Sequence, residues 1–225
     1  MPRPNTARER RADILAAAIR VLAREGLSEA TTRKIAAEAS VNQAMLGYYF
    51  GSKDDLLFAV LQEMIRATEQ IVRSALPVGV DLAEAIAGSL TAFWEHVEAE
   101  PELEILQYEL TLYALRRPES AWLARQQYDG YAAVVETLIA EAFAVAGVEC
   151  PVPSSSLARF LIAGLDGLML QFISDRDTTR ARHDLELLIA AVGALVQTST
   201  YGARAEREAR SAGRSVRSAS DAKGR

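Results

Sequence analysis

Between Thr32 and Lys53 the chain gathers side chains suited to a polyanion. Tyr48, Tyr49 and Lys53 offer two phenol hydroxyls and an ammonium within one short stretch, groups that hold phosphate oxygens. Gln43 can pair bidentately with an adenine edge, Asn42 stands beside it, and the methyl of Ala44 suits a thymine methyl. Arg33, about ten residues earlier, is placed to reach a guanine or a phosphate, and Thr32 beside it is a further candidate DNA contact. Phe50 breaks the pattern. It carries no polar group, and the spacing predicts that it turns inward as core while Gly51 and Ser52 turn the chain.

Such groups need rigid short elements behind them. Ile14, Leu15, Ala18, Val21 and Leu22 form one apolar helical stripe that stops at Gly26. Thr31 or Thr32 can cap a second helix through Ala39, and a third, about Gln43 to Tyr49, follows after three residues. Two short helices joined by a tight turn within a three-helix unit read as a helix-turn-helix. Ser52 then caps a long helix to about Ala75, with Leu56, Leu57, Val60, Leu61, Met64 and Ile65 at helical spacing.

Pro77 and Gly79 interrupt, and Asp81 starts a helix to about Ala99. Pro101 opens one reaching Leu115, Pro118 opens another ending near Gly147, and two apolar helices follow at about 156–174 and 178–201. No alternating strand pattern, repeat or glycine-rich phosphate loop appears. The expected fold is all-α: a three-helix head at 1–53, a larger helical body at 54–202, and a disordered basic tail at 203–225.

Charge follows the same division. Residues 1–53 hold nine Lys and Arg against five Asp and Glu, whereas residues 54–203 hold nine against twenty-two and residues 204–225 seven against three. A basic head on an acidic body means that the head meets the polyanion and the body does not. Cys150 is the sole cysteine in 225 residues, so an intramolecular disulfide is excluded. The most apolar run, Phe160 to Ile173, is too short to span a bilayer and carries Asp166 at its centre, so a cytoplasmic protein with no membrane partner is expected.

"TTRKIAAEASVNQAMLGYYFGSKDDLLFAVL", Thr31 to Leu61, resembles the DNA-binding region of the TetR family of bacterial transcriptional regulators. The resemblance extends over about residues 9–65, and the plan of short head and longer helical body is similar too. It implies a homodimer bound to double-stranded operator DNA, a small-molecule effector in the body, and repression. Two positions depart from the family pattern: Ser40 stands where the turn usually has glycine, and Gly47 where the recognition helix usually has tyrosine. The second removes one expected DNA contact.

In the body, Trp94, Tyr108, Tyr113, Trp122 and Tyr128 are candidate ligand contacts, together with Asp166, a carboxylate set among apolar residues that needs a partner. An acidic, aromatic-rich body favours an apolar or cationic ligand, with cation–π contact at Trp94 or Trp122. Leu157, Phe160, Leu161, Gly164, Leu165 and Leu168 make one candidate dimer seam, and Leu185, Leu188, Val192 and Leu195 another. His96 and Glu100 have a metal-binding spacing, but the glutamates around them read as a solvated face, so neither a metal nor any other cofactor is expected. An enzyme is the rival class, opposed by two distant histidines and the lack of a nucleophile motif. A constitutive DNA-binding dimer is the other alternative. The long helix after Ser52 is expected to be the one element linking body to head.

Overall fold

The computed structural model describes residues 6–75 and 82–195, and every regular element among them is helical. The head comprises α1 (Ala7–Glu25), α2 (Thr32–Glu38) and α3 (Gln43–Phe50), followed by the long α4 (Lys53–Ser74). Side-chain oxygens close each N-terminus: Thr6 on α1, Thr31 on α2, Asn42 on α3 and Ser52 on α4. Thr6 with Glu9, and Ser52 with Asp55, form reciprocal capping boxes.

Between α2 and α3 the chain reverses at Ser40, whose φ is +55°. A side chain in that left-handed region costs roughly 1–2 kcal/mol over glycine, part of which glycine loses again through its freer unfolded chain. Ser40→Gly is therefore expected to stabilise the protein by about 0.5–1 kcal/mol, read as a higher urea midpoint at unchanged slope.

The body holds α5 (Leu82–Ala99), α6 (Pro101–Leu115), α7 (Ala121–Ala146), α8 (Ser154–Asp175) and α9, helical over 178–195. Pro118 does not open α7 as its position suggests. It starts a single 3-10 turn, Pro118–Ser120, because the fully buried Ser120 is held by a hydrogen bond to Asp54. Asp81, the expected helix start, Pro77, Gly79 and the basic tail lie outside the described residues.

Head and body share a core. Ile14, Val21 and Leu22 of α1, Ile35 of α2, Leu46 and Phe50 of α3 and Leu57 and Val60 of α4 pack with Leu106 and Leu110 of α6. This corrects the expectation that α4 alone links the two parts, since α6 enters the head's core as well.

Two further clusters organise the body, and they reassign much of the expected dimer seam. Leu157, Leu161 and Val192 pack inward with Leu90, Ile139 and Phe143, while Leu185 packs with Trp94, Val97 and Phe172. Leu165 and Leu188 are partly buried against the first cluster, Leu168 against the second. Gly164 serves the chain's own packing too: a Cβ there would meet the Leu188 side chain at 2.8 Å. Of the expected seam, Phe160 and Leu195 face solvent, joined by Leu170 and Leu187. Both helices are apolar on more than one side, so spacing alone does not say which side the chain itself covers.

Taken whole, α8 has 22 residues and is long and apolar enough to cross a membrane by composition, unlike the shorter run seen in the sequence. Leu157, Ala158, Leu161, Met169 and Phe172 are nonetheless buried within the body.

Candidate functional site

The head presents its recognition surface through α3. Gln43, Ala44, Gly47 and Tyr48 are exposed, Leu46 and Phe50 are buried, and Tyr49 is half-buried with its ring edge-on to Tyr48 at 5.1 Å. Gly47 faces open space, with nothing within 4 Å of a Cβ built there. Gln43 Nε2 donates to Thr32 Oγ1 at 2.8 Å, so Thr32 of α2 orients the amide that could read a base. The carboxamide oxygen of Asn42 is committed to capping, accepting from Met45 N at 3.0 Å, which leaves its NH2 for a contact.

Arg33 is exposed at the start of α2. Lys53 is exposed at the start of α4, its ammonium 5.7 Å from the Tyr113 ring centre, with Arg117 over the same ring at 4.1 Å. Arg20, Arg24 and Lys34 of the head are held in ion pairs. Arg20 and Arg24 bind Glu38, and Lys34 and Arg24 bind Glu25, holding both carboxyls below their ordinary range.

Three hydrogen bonds tie α6 and the turn after it to the head and to the first turn of α4. Glu109 accepts from Leu27 N at 2.7 Å, and Asp54 accepts from Tyr113 Oη at 2.9 Å and Ser120 Oγ at 2.6 Å. Tyr113, expected at a ligand, instead fixes the first turn of α4.

An apolar cavity of about 110 Å³ lies inside the body, walled by α4 to α8. Val72, Ile86, Leu90, Phe93, Val135, Leu138, Ile139, Leu161 and Met169 supply hydrocarbon, and Thr68, Ser89, Gln107, Tyr131 and Asp166 supply polar atoms. Burial raises the pKa of Asp166, while Tyr128 and Tyr108 hydroxyls against its carboxylate oppose that rise. Tyr108 Oη also donates to the Asp166 carbonyl at 3.0 Å. Burial pushes the Tyr128 phenol up to about 12, so it stays a donor near neutrality.

Of the sequence candidates, Asp166 lines the cavity, and Tyr108 and Tyr128 stand behind it. Trp94 is buried against Phe172, and Trp122 is exposed beside Phe58; neither reaches the cavity wall. Sequence reading missed Glu104, Gln107 and Tyr131. Glu104, Gln107 and Thr111 follow helical spacing and are all buried, a polar stripe hidden among the glutamates that precede it.

Residues 14–60 match the family model "Bacterial regulatory proteins, tetR family", and residues 81–198 match "Tetracyclin repressor-like, C-terminal domain". The HTH-type nicotine-responsive transcriptional repressor HdnoR of Paenarthrobacter nicotinovorans is 33% identical over 188 residues, covering 81% of this chain and 93% of that protein. Among solved structures, the multidrug binding protein EbrR complexed with ethidium is 30% identical with a TM-score of 0.59, over 80% of this chain and 96% of that one. A TetR-family regulator from Rhodococcus sp. shares the fold with a TM-score of 0.70 at 18% identity, over 83% and 97% of the two chains. With a helix-turn-helix head and two matching models that together span most of its length, this chain belongs to the tetR family of bacterial regulatory proteins and is a DNA-binding transcription regulator, not an enzyme.

Proposed function

We propose that the protein is a repressor that binds a palindromic operator as a two-fold dimer and leaves it when a small apolar or cationic molecule fills the body. In this reading residues 1–53 contact DNA, residues 54–202 bind the effector and dimerise, and the regulator works in the cytoplasm beside the genome. The observation that carries the reading is α6, which contributes Gln107 to the cavity wall and, two and six residues on, Glu109 to the head and Tyr113 to the first turn of α4. A ligand that displaces α6 or α4 alters the pose of α3 and the spacing of the two recognition helices. A coupling of about 1–3 kcal/mol suffices. HdnoR responds to nicotine and EbrR binds ethidium, which supports an aromatic amine or cation as effector class.

DNA contact is assigned to Thr32, Arg33, Asn42, Gln43, Ala44, Tyr48, Tyr49 and Lys53, with half-site centres one helical turn (~34–36 Å) or a small multiple apart. Lys53→Ala is expected to weaken binding to all sequences alike and to reduce the salt slope by about 1 per half-site. Gln43→Ala should instead relax preference at particular base pairs, by roughly 1–3 kcal/mol each. Mobility shifts over a salt series with operator and scrambled duplexes separate the two, and identical behaviour would overturn the assignment. A compound that binds the body yet leaves operator affinity unchanged would overturn the effector role.

A further inference from the structure

Thr68, Gln107 and Tyr131 line two cavities at once. The second, about 220 Å³, lies on the head side of the apolar one, with Ile19 of α1 in its wall. Ile19, Met64, Ala67 and Leu103 give it an apolar wall too, but it is richer in acids. Glu63, Glu100 and Glu104 line it, His96 joins them, and among the described residues neither cavity has a lysine or arginine in its wall.

Glu104 is 5% exposed, and its Oε2 has no hydrogen-bond partner among the described residues. A buried carboxylate without a partner is costly, and proteins pair such groups or use them. Glu104 also lines a space large enough to hold a group, next to an apolar chamber that accepts hydrocarbon.

We propose that this second chamber is a cation site, in which Glu104 takes the charged nitrogen of an effector whose hydrocarbon part lies in the apolar cavity. The inference rests on the body being the effector site and adds the ligand's charge and the residue that reads it. Tyr131 reaches both chambers, so its ring and hydroxyl flank the junction where the nitrogen enters. An anionic ligand is disfavoured, since Glu100 and Asp166 would repel it, while the charge of Glu63 is met by Arg66.

Burial pushes the Glu104 carboxyl up to about 7, with the charge of Asp166 adding to the rise. A cation stabilises the carboxylate form, so binding releases a proton and tightens as pH rises towards that value, then levels off. The groups around Glu104 are Glu63 of α4, which is paired with Arg66, His96 of α5, Glu100 at the cap of α6, Tyr108 of its own helix, Tyr131 of α7, and Asp166 of α8. Of these His96 is the one base in the chamber wall, so it needs its own control.

The test compares N-methylacridinium with uncharged acridine, two rings of nearly one shape, on the full-length protein by calorimetry at about pH 8. The wild-type protein should prefer the cation by roughly tenfold or more, and Glu104→Gln should abolish that preference while leaving acridine binding unchanged. Cation affinity should rise about tenfold per pH unit below the Glu104 titration, go flat in Glu104→Gln, and keep its slope in His96→Gln. Equal binding of the two rings to the wild type, equal losses in Glu104→Gln, or a slope that follows His96 overturns the inference. If acridine alone binds, the cation site fails and the effector reading stands; if neither binds, both fail. Should Glu104→Gln not fold, a flat wild-type pH profile for the cation suffices to overturn the proposal.

Discussion

Replacing Phe160 and Leu187 together with aspartate is expected to leave the protein monomeric at micromolar concentration and to weaken operator binding by roughly 10²–10⁴-fold. Phe160 is 48% exposed on α8 and Leu187 58% exposed on α9, with Leu170 and Leu195 also outward. The two helices are already locked to each other through Gly164 and Leu188. Apolar side chains left outside a core cost about 25 cal/mol per Å² relative to burial, which a second copy removes by covering them. Two carboxylates per subunit, facing their symmetry mates, oppose that covering by desolvation and repulsion. A monomer then binds one half-site at a time and loses the effective concentration that links the two heads. Light scattering gives the mass and a mobility shift the affinity. A variant that remains a dimer would place the interface on another face, while a monomer that still held a full operator tightly would disprove paired binding.

Trp94→Ala is expected to destabilise the fold by about 3–5 kcal/mol, the range for deleting a large buried aromatic. Trp94 is 1% exposed, tilted against Phe172 at 5.8 Å, and its Nε1 donates to Glu98 Oε1 at 3.0 Å. Glu98 in turn holds Arg182 of α9, whose Nε lies 2.8 Å from Oε1. Removing the indole therefore opens a void where α5, α8 and α9 meet and strips one donor from the carboxylate that clamps α9. Trp122, 41% exposed and edge-on to Phe58, should cost no more than about 1 kcal/mol in the same substitution. Urea titrations of the two variants give the comparison. Equal midpoints would mean that the body does not close around Trp94.

The head was readable because its signals are local. Capping residues Thr31 and Ser52 sit within three residues of the groups they bind, and Phe50 shows its inward turn by spacing alone, whereas Asn42, read as a DNA contact, also caps α3. The body was readable as helices but not as a site. Trp94 and Tyr113 have the composition of ligand residues, yet one fills a core and the other hydrogen-bonds Asp54, 59 positions away in sequence. Which side of α8 faces the chain itself depended on α5, α7 and α9, so Leu157 and Phe160 looked equivalent in sequence and are opposites in space. Glu104 looked like one more surface glutamate because its neighbours in sequence are acids and its neighbours in space are not yet visible there.

The ties from Glu109, Tyr113 and Ser120 to Leu27 and Asp54 bear on how such regulators are recombined. Transplanting the first fifty or so residues onto another body, to give a new sensor an old operator, would leave Asp54 or its replacement and the Leu27 amide facing foreign side chains. A working hybrid therefore needs its seam cut in three dimensions, with those three body residues travelling alongside the head. The DNA address of this protein is written in the head, but its mounting bracket is coded more than eighty residues downstream of Leu27, in α6.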